Sequence, residues 1–152
     1  MKNLSIFLVL MLSLIACTSD DSDSSMITVE DMAQIRATVS SGNWVVSKYI
    51  DSGKDETSDY SGYSFSFNTD GSLVASNPTS TIEGTWSVTN DDSSDDDSAD
   101  NDVDFNIFFQ SPELLNEFTD DWDIVSYSST RIELKDVSGG DGTTDNLVFE
   151  KN

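Results

Sequence analysis

From Gly42 to the end of the chain, apolar residues recur at every second position, in short runs separated by glycine, aspartate and asparagine. Successive side chains of an extended chain point to opposite faces, so this period demands strands with one buried and one wet face. Tyr63, Phe65 and Phe67 alternate with Ser64, Ser66 and Asn68, and Ile82, Trp86 and Val88 alternate with Glu83, Thr85, Ser87 and Thr89. Val103, Phe105, Ile107 and Phe109 stand against Asp104, Asn106 and Gln110. Trp44, Val46 and Ile50 share a face that Lys48 interrupts, and further strands are expected over 73–76, 122–128, 131–137 and 146–151. Asp70-Gly71 supplies a hairpin turn. The pattern predicts an all-β fold of about eight short antiparallel strands joined by local turns. An up-and-down meander with an even strand number closes on itself and removes its edges, so the expected architecture is an eight-stranded barrel.

Two short helices interrupt this pattern. Met32, Ile35 and Val39 fall at helical spacing behind Thr28 and Asp31, which form a start resembling a capping box; Gly42 then supplies a stop. A helix over 28–41 is therefore expected ahead of the first strand. Ser111-Pro112-Glu113 opens a second helix after the fifth strand, with serine as the expected cap and Leu114, Leu115 and Phe118 on its apolar side. Phe108 breaks the alternation by pointing outward, toward a helix or a partner.

The first 27 residues follow other rules. Lys2 precedes an apolar run over 4–16, which is shorter than the ~20 residues a spanning helix needs and matches the core of a secretory signal peptide. The run ends Leu14-Ile15-Ala16-Cys17, and Cys17 is the only cysteine. This ending resembles the bacterial lipobox, which implies cleavage before Cys17 and acylation, palmitate included, of its sulfur and amine. Two or more buried chains hold a protein stably on a membrane. Residues 17–27, with Asp20, Asp21 and Asp23 among serines, have the composition of a tether. Ser19-Asp20-Asp21 resembles the acidic export signal of Bacteroidota surface lipoproteins. The expected organisation is a signal peptide over 1–16, lipidated Cys17 and tether over 17–27, and a barrel domain over 28–152. The expected location is the cell outer membrane, with the body displayed on the surface.

Gly42-Asn43-Trp44, standing between a short helix and the first strand, resembles the Gly-x-Trp signature of lipocalins, whose Trp packs across the closed barrel end. Lipocalins often set a late arginine against that Trp, and Arg131 is the candidate here. Tyr63 to Gly71 (YSFSFNTDG), Gly84-Thr85-Trp86, Trp122 and Arg131-Ile132-Glu133-Leu134 are similar to the lipocalin-like domains of Bacteroidota lipoproteins. The resemblance implies a barrel that binds one small apolar or glycan ligand, with Trp44, Tyr63, Phe65, Phe67, Trp86, Phe105 and Phe109 as the contacting side chains. Alternation alone reads the same residues as core. The alternative function is then a packed-core accessory module that contacts another envelope protein.

Composition removes several classes. There are 7 Lys and Arg against 29 Asp and Glu, giving a formal net charge of −22. Nucleic-acid affinity rests on cations that neutralise phosphates, so no such partner is expected. Histidine is absent, which removes Ser-His and Cys-His catalysis and zinc sites of His and Cys. Residues 90–102 carry seven Asp, yet no segment there fits a calcium loop. Ser138 to Asp145 (SGGDGTTD) read as a turn, and Glu113 with Glu117 as a solvated helix face. No catalytic residue, cofactor or metal is expected.

Overall fold

The computed structural model describes residues 27–90, 103–137 and 142–152. A 3-10 turn (Val29–Asp31) leads into α1 (Met32–Val39). Then come β1 (Trp44–Asp51), β2 (Lys54–Asp55), a second 3-10 turn (Thr57–Tyr60), β3 (Ser64–Phe67), β4 (Ser72–Asn77) and β5 (Ser80–Asn90). After β6 (Val103–Phe108) follow α2 (Glu113–Asn116), β7 (Asp120–Tyr127), β8 (Arg131–Val137) and β9 (Thr144–Lys151). Each strand from β3 to β9 pairs antiparallel with the next, and β9 pairs back onto β1 from Trp44↔Lys151 to Ile50↔Asn146. The result is a closed eight-stranded antiparallel barrel, to which β2 adds only a two-residue ribbon on β1. The expected fold class holds, including a short helix near the N-terminus and another after the fifth barrel strand. The signal peptide, Cys17, most of the tether and nearly all of the Asp-rich segment lie outside the described residues.

The alternation predicts most strand faces correctly, and two bulges explain where it does not. In β1 the register shifts between Val46 and Lys48. An extra residue there inverts the strand's phase, so Tyr49 rather than Ile50 is fully buried. A second shift between Ile124 and Ser126 inverts the phase beyond Trp122 and Ile124, so Ser126 is exposed and Tyr127 packs half-buried against the core.

Both barrel ends are closed. At one, Thr28 donates its backbone N–H and hydroxyl to Asp31 Oδ2, each at 2.9 Å, as the anticipated capping pair. The helix that follows buries Ile35 and Val39, and Arg36 donates to the Val88 carbonyl. At the other end the second 3-10 turn and α2 are tied together. Tyr60 Oη lies 2.9 Å from the Leu114 carbonyl and 2.7 Å from Glu117 Oε2, its one proton shared between the two acceptors, and Tyr49 Oη donates to the Glu117 carbonyl (3.2 Å). Burial raises both tyrosine hydroxyls above their ordinary pKa, with nearby carboxylates adding to it. Glu113 and Glu117 are both exposed, as expected, and Glu117 in addition accepts from the Tyr60 hydroxyl. Ser111 does not cap α2; Pro112, after a cis Ser111-Pro112 bond, holds that position.

Candidate functional site

A ligand inside the barrel needs empty volume between the inward side chains. The inward rings pack against one another. Tyr60 stacks on Phe118 with ring centroids 4.3 Å apart, Phe118 meets Phe65 at 5.9 Å and Phe149 at 6.2 Å, and Phe149 meets Phe67 at 5.4 Å. Phe67 then contacts Trp86 at 5.4 Å and Phe105 at 5.7 Å. This column of edge-on and stacked rings runs the length of the barrel, within the 4.5–7 Å range typical of aromatic pairs or just below it. Of the seven residues named from the sequence, Trp44, Phe65, Phe67, Trp86, Phe105 and Phe109 are buried in one continuous core, and Tyr63 packs half-buried against it. They come together, but against one another.

The three tryptophans spend their single donors on backbone carbonyls: Trp44 on Val39 (2.8 Å), Trp86 on Asn68 (2.9 Å) and Trp122 on Phe118 (3.0 Å). None keeps an indole N–H for a ligand. The cation over the Trp44 ring is Lys151, with Nζ 5.1 Å from the ring centroid. Arg131, the residue expected in that role, instead bridges Glu150 (2.6 Å) and Glu133 (3.2 Å) on the outer face. Lys151 sits opposite Trp44 because β9 pairs with β1 in that register, a long-range fact that chain position does not reveal.

Two grooves are open to solvent, the first on the outer wall. One groove of about 560 Å³ is lined by Thr85, Trp86, Ser87, Asn106, Ile107, Phe108, Thr119, Asp120 and Asp121. Its floor is built by register: Thr85 faces Phe108 and Ser87 faces Asn106 across β5–β6, and Asn106 faces Asp121 across β6–β7. Phe108 is 51% exposed, as its break in the alternation anticipates. Asp120 sits where β7 begins. Burial pushes its carboxyl up to about 6, helped by a hydrogen bond with the Asp121 side chain and by the charges of Asp136 and Asp121. A second groove of about 310 Å³ lies at the barrel end that α1 covers, bordered by Arg36, Ser40, Asp70 and Gly71 and by the inward-facing Trp86 and Val88. The alternation flagged Phe108 alone; no sequence signal could align its polar neighbours from three strands.

Among the described residues no group of three or more His, Cys, Asp or Glu side chains is placed to hold a metal ion, and no helix is long and apolar enough to cross a membrane.

No family model and no curated protein matches the chain. Among solved structures it is similar to a DUF4847 family protein from Bacteroides vulgatus ATCC 8482, with 18% identity, a TM-score of 0.49, and coverage of 78% of this chain and 97% of that one.

Proposed function

We propose that this chain is a lipid-anchored lipoprotein of the bacterial cell envelope whose barrel is a solid scaffold and whose binding surface is its outer wall. One observation carries the choice of surface: the inward rings pack against one another, while the groove of about 560 Å³ opens on the outer face of β5, β6 and β7. A lipocalin-style ligand in the barrel mouth would have to displace Phe67 or Phe118, each packed against other rings, and forfeit contacts of native-core density. Support for the anchor is chemical. Cys17 is the single thiol, directly after an apolar run and Leu14-Ile15-Ala16. Surface display draws on Ser19-Asp20-Asp21.

The anchor is tested by growing cells on alkyne-palmitate. Label is expected in the wild-type chain and absent from Cys17→Ala, which should shed into the medium; an unlabelled wild type overturns it. The solid scaffold is tested with a fluorescent fatty acid. No saturable binding is expected, and saturable binding that Phe67→Leu alters would return the ligand to the interior.

A second reading, contact with another envelope protein, is favoured by one observation, the half-exposed ring of Phe108 in the outer groove. It uses the same surface and differs only in what occupies it.

A further inference from the structure

The chemistry of the outer wall also selects a ligand class, an inference that rests on the wall being the binding surface. Phe108 keeps its ring open to water because its neighbours across the sheet are short: Thr85 opposite it, and Ser87, Asn106 and Asp121 in the next row. Asn106 orients its amide by donating Nδ2 to Thr89 Oγ1 at 2.8 Å, which leaves its carbonyl oxygen for another donor. The wall therefore offers one flat apolar face ringed by hydroxyl, amide and carboxylate groups. Few ligand classes match it. A lipid tail would leave the polar ring unpaired, and unpaired polar groups are costly to cover. A phosphate chain would be repelled by Asp120 and Asp121. A sugar ring fits: its axial C–H bonds carry the partial positive charge that the negative face of an aromatic ring attracts, and its rim hydroxyls both donate and accept.

Size points the same way. The groove's volume, about 560 Å³, lies in the ~300–1,000 Å³ range of small-ligand sites, room for a short run of linked sugars. The geometry points to an oligosaccharide-binding site on the outer wall of β5, β6 and β7, with Phe108 as the stacking platform and Asn106, Asp121, Thr85 and Ser87 as hydrogen-bonding partners.

The test is affinity electrophoresis of the full chain in detergent, through native gels containing amylopectin, xylan, mixed-linkage β-glucan, galactomannan or yeast mannan. At least one polysaccharide should retard the wild type. Phe108→Ala should weaken that binding about tenfold or more, the usual effect of truncating a central aromatic contact, and Asn106→Ala by a smaller factor. Both positions are on the surface, and circular dichroism of each variant checks that the barrel remains. No retardation by any of the five polysaccharides overturns the sugar assignment, and undiminished binding by Phe108→Ala overturns the site. A photo-reactive benzophenone amino acid at position 108, used on intact cells, separates the two levels. Cross-linking to a protein without retardation in any gel leaves the outer-wall reading standing and removes the oligosaccharide. Neither retardation nor cross-link removes both.

Discussion

The tripeptide pattern Gly-x-Trp occurs twice, and its two copies do different physical work. At Gly42-Asn43-Trp44 the glycine is there for its backbone: φ is +103°, a conformation that side-chain-bearing residues resist, and it turns the chain from α1 into β1. At Gly84-Thr85-Trp86 the glycine is there for its emptiness. A Cβ on Gly84 would lie 2.4 Å from the Phe108 carbonyl oxygen and 2.6 Å from the Phe109 ring. The tryptophans diverge as well. Trp44 joins β1 to α1 and lies under Lys151; Trp86 packs on Phe67 and Phe105 and borders both grooves. A shared motif is thus explained by one cause at one end of the barrel and by another in the wall.

The largest expected effect separates the two tryptophans. Trp44→Ala and Trp86→Ala should each cost about 3–5 kcal/mol, the range for emptying a large aromatic site. Only Trp44→Ala should release α1, because only Trp44 bonds to its last residue, Val39. Hydrogen exchange reads the difference: amides of Met32–Val39 lose protection in Trp44→Ala and keep it in Trp86→Ala. Equal loss in both variants would make the division between end and wall artificial.

The glycines should follow. Gly84→Ala is expected to cost about 3 kcal/mol by overpacking, since backbone and ring must both move. Phe109→Leu added to Gly84→Ala should recover part of it. Gly42→Ala should cost about 1–2 kcal/mol through strain at positive φ, because its nearest atom, 3.3 Å from the new Cβ, is the flexible end of Lys151. Urea denaturation of the three variants checks the order, and a larger loss at Gly42 would reverse the two causes.

The same residues show how much of the molecule was legible in the sequence. Strand faces, both helices and barrel closure could be read because period and turn chemistry are local properties. The burial of Tyr49 could not, because a bulge leaves no mark in composition. Neither could Lys151 over Trp44, since that contact depends on closure pairing β9 with β1. The inward aromatics read in the sequence as either core or ligand contacts; alternation says which way a ring points, and only the ring-to-ring distances favour core. The outer groove was visible only as one misplaced phenylalanine, Phe108.

Lys151 gives a smaller effect. Its ammonium lies over the Trp44 ring and donates to Ser41 Oγ at 3.0 Å, so Lys151→Met should lose about 0.5–1 kcal/mol, the usual size of a partly exposed cation–π contact. Arg131→Met should leave the Trp44 environment unchanged in near-ultraviolet circular dichroism while Lys151→Met alters it. The opposite result would restore Arg131 to the role expected of it.

The smallest effects concern acid, and they oppose each other. Beside the Trp86 groove, Asp120 titrates near 6 in the folded chain against an ordinary value of 3.8. The folded form therefore holds the extra proton between those values, so stability falls as pH rises through that window and stays lower above it. At the Trp44 end, bonds from the Thr28 backbone and hydroxyl hold the Asp31 carboxyl below its ordinary value. Its contribution is therefore present above about pH 4 and disappears as pH falls through the lowered value. Asp120→Asn should raise the melting temperature at pH 8, by roughly 2 °C given how much solvent screens the group, and leave it unchanged at pH 4. Asp31→Asn should lower it at pH 8, with the deficit shrinking as the solution is acidified below pH 4. Thermal melts of both variants across pH 3–8 check the signs. Shifts of the same sign at pH 8 would mean that a general relief of negative charge, common to any acid removed from a chain of net charge −22, outweighs the local hydrogen bonds that set the two sites apart.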